Sequence, residues 1–507
     1  MAIGGMPYRR SARVSGPAEI PAVPSGLMVP GLLLAATAAG LTAAALSAAS
    51  PSAAVTWGSV ALAAWCTALL LLTGAVSDYE GLGLAAWRIG PWSLVWGALA
   101  FGLATVTWNG PQYGAPGEIL PSSVLRALWL TAVAFTMLAA GYCAGPFRLA
   151  GRPALRLSGW MERRYSGEIR SAAVPWVLFA VGIAAQAASA ATTGHFGYVG
   201  SATPTTTVSG YAQYIALAGE CVPLAVMAAA VRFYRTRVPG SGLTLCVLLA
   251  GAVAAGALGG NKQNFVVAVL AVVIPRSAGR RLPAGGIIAA VAFFLLLVIP
   301  FNAAYRASAR GPVTLTTGQA IAAAPGILGQ VASSDLSPSG LGQSAQFLAV
   351  RIRTEDSPAI IVQRTPAQIP YASGWQLAEA PLLDVTPRIL WPGKPVLDDG
   401  YQFSQQYFDL PAGDYTSSDV TPEGDLWEHG GWVPVIAGML LLGCLIRVLD
   451  DMTDARRGPH GAFLVLLLFP AVVQAGDSWS DLLAGIPGLL VLWAAVVAFS
   501  FRRRSAS

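Results

Sequence analysis

The chain has 507 residues, of which 55% are hydrophobic and only 11% are charged. Soluble globular chains carry about 25% charged residues, so this composition excludes an ordinary soluble fold and indicates that lipid surrounds most of the chain. The net charge of +6 would favour nucleic acid as a partner in a soluble protein. In a membrane protein, basic cytoplasmic loops explain such a charge better, and we therefore expect no nucleic-acid partner.

Apolar runs close to the roughly 20 residues that a bilayer requires recur along the chain and predict about twelve transmembrane helices. A secretory signal peptide is the competing interpretation of the first run, but no polar mature domain follows it, which favours an uncleaved helix. The predicted spans are 27–47, 53–76, 92–108, 124–144, 174–191, 211–231, 243–258, 265–274, 286–300, 433–449, 463–475 and 482–499.

The basic residues predict the topology. With the N-terminus inside, 22 of the 31 Lys and Arg residues fall in inner segments, as the positive-inside rule requires. We therefore expect a multi-pass protein of the cell membrane with both termini cytoplasmic. The predicted parts are a cytoplasmic tail (1–26), a first membrane block of about nine helices (27–301), an extracellular cap (302–431), a second block of about three helices (432–500) and a cytoplasmic tail (501–507).

The cap is a polar segment of about 130 residues between the two blocks, and a connection of that length indicates function or a small folded unit. Apolar spacing predicts helices in SAQFLAVRIR and GWQLAEAPLLDVTPRIL, whereas Leu397 to Thr421 reads as irregular. Aromatic residues suited to a core are Phe347, Trp375, Trp391, Tyr401, Phe403, Tyr407 and Phe408.

Residues 302–429 hold seven Lys/Arg and thirteen Asp/Glu. Guanidinium groups grip phosphate oxygens bidentately, so the cations predict a pyrophosphate site at the membrane surface. The alternative is that each cation pairs with an acid or a lipid headgroup. The cap cations are Arg306, Arg310, Arg351, Arg353, Arg364, Arg388 and Lys394. Lys262, at a helix junction predicted to face outward, reaches the same region and joins the predicted pyrophosphate-binding set.

The string GDLWEHGGW precedes the tenth predicted span and holds the candidate catalytic residues Asp425 and His429, with Glu423 just before it. A carboxylate or a histidine at this place is suited to take a proton from a sugar hydroxyl. A cap or turn with no chemical role is the alternative for His429, and most acids of the cap are expected to be solvated or structural. A DxD motif is absent, and the five cysteines lack metal-type spacing, so we expect no metal and no disulfide framework.

Four strings carry a resemblance to a known family: LGGNKQNF, NAAYRASARG, TPRILWPGKP and GDLWEHGGW. With them the second half of the chain resembles the O-antigen polymerase (Wzy-type) or oligosaccharide repeat-unit polymerase family. TPRILWPGKP is the most specific match, and the chain departs from the family pattern in having Lys262, Asp425, Trp427 and His429 where relatives have Arg, Glu, Tyr and Asn.

The resemblance implies an all-α membrane glycosyltransferase of the GT-C kind that needs no cofactor. Such an enzyme joins polyprenyl-pyrophosphate-linked oligosaccharide repeat units at the outer face of the cell membrane. Its partners would be the lipid-linked oligosaccharide, membrane lipids and other polysaccharide-assembly proteins. Cations would stabilise the departing pyrophosphate, and aromatic rings would stack on sugars. The expected stacking residues are Trp391, Trp427 and Tyr401.

Three other functions stay open on the sequence. A different lipid-linked glycosyltransferase or ligase would differ only in its acceptor. A flippase or transporter of lipid-linked glycans would concentrate its cations between the helices, and the long cap argues against it. A membrane scaffold or assembly subunit would have no coherent pocket.

Overall fold

The structure is a computed structural model. It describes residues 25–73, 87–108, 119–143, 151–193, 195–196, 199–200, 211–278, 285–286, 292–293, 298–309, 317–334, 349–350, 352–386, 391, 399–411, 418–455, 458–473 and 476–504.

The described part of the chain is mainly helical. In chain order its helices are α1 (Ser25–Leu46), α2 (Pro51–Leu72), α3 (Ile89–Trp96, continued by a π-helix at Gly97–Gly102 and a 3-10 helix at Leu103–Thr107), α4 (Pro121–Cys143), α5 (Gly151–Arg164), α6 (Val174–Thr193), α7 (Ala212–Gly219), α8 (Cys221–Thr236), α9 (Ser241–Leu258), α10 (Lys262–Ser277), α11 (Ile299–Ala309), α12 (Thr317–Ser334), α13 (Asp356–Arg364), α14 (Gly374–Val385), α15 (Asp399–Tyr407), α16 (Pro422–Glu428), α17 (Trp432–Met452), α18 (Pro459–Val473) and α19 (Trp479–Ser500). Short strands pair antiparallel as β1 (Tyr165–Ile169) with β4 (Phe501–Arg503), and β2 (His195–Phe196) with β3 (Val199–Gly200).

Nine helices in these ranges are at least 18 residues long and apolar enough to cross a membrane. They are Gly26–Leu46, Pro51–Leu72, Ile89–Thr107, Pro121–Cys143, Val174–Thr192, Ala212–Thr236, Ser241–Leu258, Trp432–Met452 and Trp479–Ser500. The predicted helical membrane class is thereby confirmed. The number twelve and the GT-C-like arrangement stay predictions.

The other three predicted spans fall on shorter or partly described segments. Span 265–274 lies on α10, which has 16 residues, and span 463–475 lies on α18, which has 15. At about 1.5 Å per residue, helices of that length are shorter than the roughly 30 Å hydrocarbon layer. Span 286–300 lies largely outside the described residues, and α11 begins near its end.

Helices α4 and α17 pack unusually close together because each places a glycine against the backbone of the other. A Cβ atom at Gly443 would lie 2.0 Å from the carbonyl oxygen of Leu138, and one at Gly141 would lie 2.0 Å from that of Leu440. Only glycine allows such an approach, and small residues at helix crossings are how membrane helices pack closely. This contact joins the first membrane block to the second.

A buried charged cluster, the Asp450 cluster, ties α3, α4 and α17 together at one end. The Asp450 carboxylate accepts hydrogen bonds from the backbone N–H groups of Ile89 (2.6 Å) and Gly90 (3.1 Å) and from the Tyr142 hydroxyl (2.9 Å). The Arg88 guanidinium lies 3.8 Å from Asp450 and 3.1 Å from the neighbouring Asp451. The carboxylate therefore satisfies the free N–H groups at the start of α3.

Three segments that the charge pattern assigns to the cytoplasm meet at β1 and β4. The pairing of the strands is extended by the hydrogen bond from Arg504 N–H to the Arg164 carbonyl (2.9 Å). Arg235, at the end of α8, donates to the Gly167 carbonyl at 2.9 Å. Segments on one side of a membrane are free to meet in this way, whereas which side is cytoplasmic stays a prediction.

The described part of the cap packs onto the first membrane block through α13 and α15. Ile360 and Ile361 are fully buried in one apolar cluster with Tyr407 and Phe408 of the cap and with Phe135 of α4. The cap core is therefore continuous with the membrane helices.

Two predictions for the cap are wrong. The stretch Leu397 to Thr421 is not all irregular, since α15 forms within it and sets Phe403 against Tyr407 with 4.9 Å between ring centroids. Of the expected core aromatics, Trp375 is 69% exposed and Trp391 is 39% exposed.

Candidate active site

The candidate site is built on α16, a seven-residue helix that leads into the span α17. Thr421 caps this helix by accepting a hydrogen bond from the Gly424 N–H at 3.2 Å, and Pro422 occupies the first position. Thr421 has φ 64° and ψ 145°, a conformation that is costly for a residue with a side chain. The turn to α17 uses Gly430 (φ 141°) and Gly431 (φ 72°), which tolerate these angles. Backbone with positive φ thus borders the helix on both sides, and it is strained at Thr421.

Asp425 and His429 lie one helical turn apart and form a hydrogen-bonded pair, the Asp425–His429 dyad. The His429 Nδ1 atom is 2.9 Å from Asp425 Oδ1 and 2.8 Å from the Asp425 carbonyl oxygen. The second carboxylate oxygen accepts hydrogen bonds from the Ser480 N–H (3.0 Å) and hydroxyl (3.1 Å) at the start of α19. These contacts fix the ring with a proton on Nδ1 and leave Nε2 as the reactive nitrogen.

The reactive nitrogen faces a side chain of α14. His429 Nε2 lies 3.2 Å from the amide oxygen of Gln376, an exposed residue of α14. Burial lowers the pKa of His429, but the hydrogen bond and charge of Asp425 outweigh it and raise the pKa above its ordinary value of 6.5. A carboxylate-oriented histidine can take a proton from a hydroxyl and return it once Gln376 leaves its Nε2 atom, so the dyad is suited to general acid–base chemistry.

Glu423 lies on the same helix but points into the protein interior. The residue is 1% exposed, and in the described part of the chain no polar atom meets hydrogen-bond geometry with either carboxyl oxygen. Burial raises the pKa of Glu423 to about 7, although its own backbone amide and the nearby Thr421 hydroxyl act in the opposite direction. Glu423 therefore exchanges its proton near neutral pH.

Glu355 is a second fully buried carboxyl group near Glu423. Thr131 of α4 donates a hydrogen bond to it at 3.3 Å. Burial, with the charges of Glu423 and Asp356, raises the pKa of Glu355 well above its ordinary value, and the Thr131 hydrogen bond opposes this only in part. The two carboxyls form a protonatable pair inside the cap, beside α4, where burial favours the neutral form.

The predicted pyrophosphate-binding residues do not form a described cluster. Arg353 is 3% exposed and pairs with Asp356 at 2.9 Å, so it belongs to the cap interior. Lys262 is half-buried at the start of α10, and Arg364 forms a bidentate pair with Asp409. The side chains that lie outside the described residues are those of Arg306, Arg310, Arg351, Arg388 and Lys394.

The predicted sugar-stacking residues differ in their surroundings. Trp427 donates from Nε1 to the Thr365 carbonyl at 3.3 Å, and its ring meets that of Trp432 edge-on at 5.2 Å. Tyr401 is half-buried on α15, whereas Trp391 is exposed. These contacts therefore fix the Trp427 ring next to the dyad on α16.

Sequence reasoning missed three partners of the site: Ser480, Gln376 and Thr131. Ser480 lies in the string GDSWSD just before the last span, and the short polar residues there were the available signal. Gln376 and Thr131 sit in apolar patterns that predict only helices. Among the described residues, no group of three or more His, Cys, Asp or Glu side chains is placed to hold a metal ion.

A family model matches residues 182–474, which is more than half of the chain. The chain belongs to this family, described as Domain of unknown function (DUF8712). No curated protein and no solved structure matches the chain. The matched region begins within α6 and includes the Asp425–His429 dyad and both buried glutamates.

Proposed function

We propose that the chain is a membrane glycosyltransferase that polymerises polyprenyl-pyrophosphate-linked oligosaccharide repeat units at the outer face of the cell membrane. The observation that supports this most is the Asp425–His429 dyad, fixed by Ser480, with His429 Nε2 against the side chain of Gln376. A different lipid-linked glycan transferase or ligase would use the same chemistry with another acceptor.

In the proposed reaction, His429 Nε2 removes the proton from an acceptor sugar hydroxyl. The hydroxyl oxygen attacks the anomeric carbon of the donor glycan, and the bond from that carbon to the pyrophosphate oxygen breaks. The polyprenyl pyrophosphate leaves with the bonding electron pair. Asp425 stabilises the imidazolium that forms, and the proton then passes to water. Gln376 moves aside to admit the acceptor.

The leaving group requires cations, because negative charge builds up on the pyrophosphate as the bond breaks. We assign this role to Lys262, Arg306 and Arg310, with Arg351, Arg388 and Lys394 as further candidates. Arg353 is the least suited of the predicted set, because Asp356 neutralises it inside the cap.

A second function is favoured by the buried pair Glu355 and Glu423. Ionisable groups buried beside membrane helices often mark proton pathways, so proton-coupled transport of a lipid-linked glycan is the alternative proposal. The two proposals differ in which acids are essential: Asp425 and His429 for transfer, Glu355 and Glu423 for transport.

The test is complementation of a strain that lacks the gene, with size analysis of its lipid-linked glycans. We expect Asp425→Asn and His429→Ala to leave single repeat units on the outer leaflet, because loss of a general base costs about 10²- to 10⁴-fold in rate. Gln402→Ala, an exposed change on α15, is the matched control and should restore long chains.

Three outcomes separate the proposals. Long chains from both dyad variants, at normal protein levels, would refute the transferase. Repeat units trapped on the inner leaflet in Glu355→Gln or Glu423→Gln would support the transporter. Single units on the outer leaflet in the dyad variants alone would support the polymerase.

A further inference from the structure

Helix α14 belongs to the cap in sequence but packs along a membrane span. It runs from Gly374 to Val385 and begins at Ser373, whose hydroxyl accepts a hydrogen bond from the Trp375 N–H at 3.3 Å. Its packing partner is α19, one of the nine candidate spans. Twelve residues at about 1.5 Å each extend about 18 Å, roughly half of the 30 Å hydrocarbon layer.

Helix α14 carries apolar side chains both on its buried face and along one exposed stripe. Ala380 is fully buried, and Leu377 packs against the main core of the membrane helices. On the opposite face, Trp375 is 69% exposed, Ala378 is exposed and Leu382 is 63% exposed. These three residues follow the i, i+3, i+7 spacing of a single helix face. A helix at a water surface carries polar residues on its outer face, so this stripe indicates a non-aqueous neighbour.

The two candidate membrane spans beside α14 also carry exposed apolar side chains. The segment before α14 contacts the end of α16 through the hydrogen bond from the Ala372 N–H to the Glu428 carbonyl at 2.9 Å. It also lies beside the turn into α17, where a Cβ atom at Gly431 would be 2.9 Å from the Tyr371 hydroxyl. On α17, Trp432 is 45% and Val433 is 76% exposed, and on α19 Val491 is 68% exposed. Exposed apolar side chains of this kind are what a membrane span presents to acyl chains.

We propose that α14 is immersed in the leaflet that adjoins the cap, with Trp375, Ala378 and Leu382 in contact with lipid acyl chains. Glu379 is the polar residue nearest the stripe and is half-buried. It lies about 6 Å along the axis from Trp375, next to Ala378, and its half-buried side chain is partly covered by protein. Tryptophan is the side chain that membrane interfaces favour, which suits Trp375 at the outer end.

The proposal has a consequence for the dyad. Gln376, the neighbour of Trp375, contacts His429 Nε2 at 3.2 Å. The reactive nitrogen therefore lies one residue from the lipid boundary, and a ligand whose headgroup is anchored in that leaflet has direct access to it. The proposal that α14 is immersed in lipid rests only on its packing and exposure, and it does not depend on the reaction of the dyad.

The experiment is nitroxide accessibility by electron paramagnetic resonance on the full-length protein in lipid nanodiscs. Cys246, the exposed native cysteine of the described part, is replaced by Ala. Labels are attached in turn at Leu382→Cys, at Val247→Cys on the span α9 as the lipid reference, and at Gln406→Cys on α15 as the water reference; Val247 and Gln406 are exposed at those places.

We expect the Leu382 label to collide with oxygen and to be shielded from a water-soluble nickel chelate, as the Val247 label is. A label at Trp375→Cys should show the same preference at shallower depth. Because both side chains are more than 60% exposed, their replacement leaves the packing intact. Nickel accessibility of the Leu382 and Trp375 labels equal to that of Gln406 would overturn the proposal.

Discussion

Replacement of Glu423 by glutamine removes a buried group that titrates and keeps a side chain of nearly the same shape. The folded protein raises the pKa of Glu423 from 4.5 to about 7. Below pH 4.5 the carboxyl is protonated in both folded and unfolded chains and has no effect on stability. As the pH rises from 4.5 to 7, the unfolded chain releases the proton first, so the folded state becomes less stable; above pH 7 the penalty is constant.

Each pH unit between these two pKa values corresponds to about 1.4 kcal/mol. Wild type should therefore be destabilised by about 3 kcal/mol at pH 7 relative to pH 4.5 through this group alone. Glu423→Gln cannot titrate, so its advantage over wild type should be near zero at pH 4.5 and about 3 kcal/mol at pH 7 and above.

The assay is thermal unfolding in detergent at several pH values, followed by the intrinsic fluorescence of the 15 tryptophans. The Tm of Glu423→Gln should exceed that of wild type by a few degrees at pH 8, and the gap should close towards pH 4.5. Glu168→Gln, at an exposed position on β1, is the control and should follow wild type. A gap that does not change with pH would refute the assignment of a buried titrating carboxyl.

Three further predictions concern packing and backbone. Gly443→Ala should destabilise by at least about 1–3 kcal/mol because its new methyl meets the Leu138 carbonyl at 2.0 Å, whereas Gly485→Ala, with no atom within 4 Å, should be neutral or stabilising in the same unfolding assay. Thr421→Gly should be more stable than Thr421→Ala by about 1–3 kcal/mol, because glycine alone relieves the positive φ; equal Tm values would contradict a strained cap. Asp450→Ala should cost about 3–5 kcal/mol since it leaves buried N–H groups and Arg88 without their acceptor, a loss that would show as reduced yield of folded monomer on gel filtration.

The sequence predicted the membrane helices well because a long apolar run is solvated by lipid wherever it lies. All nine predicted spans that reappear at full length begin within three residues of the corresponding helix, as α4 and α17 illustrate. Segments such as 463–475 are apolar but short. Their position in the membrane depends on packing against neighbouring helices, which hydropathy does not describe.

The dyad was predictable because both members lie within five residues of each other and share one face of a helix. Ser480, Gln376 and Thr131 were not, because they come from distant segments that meet only through tertiary packing. Asp450 was missed for the same reason: at the end of an apolar run it looks like a solvated residue, whereas the structure buries it at 1% exposure. The prediction that Trp375 is buried was wrong in the opposite sense. An aromatic side chain is expected to avoid water, but the sequence does not show whether protein or lipid covers it.

The pairing of β1 with β4 bears on how the polypeptide assembles during synthesis. More than 300 residues separate Ile169 from its partner Phe501. At roughly 5–20 residues per second, the ribosome needs tens of seconds to deliver the second strand after the first has emerged. For that time the backbone N–H and C=O groups of β1 lack their strand partner, so this pairing can form only after α19, which precedes β4, has been synthesised.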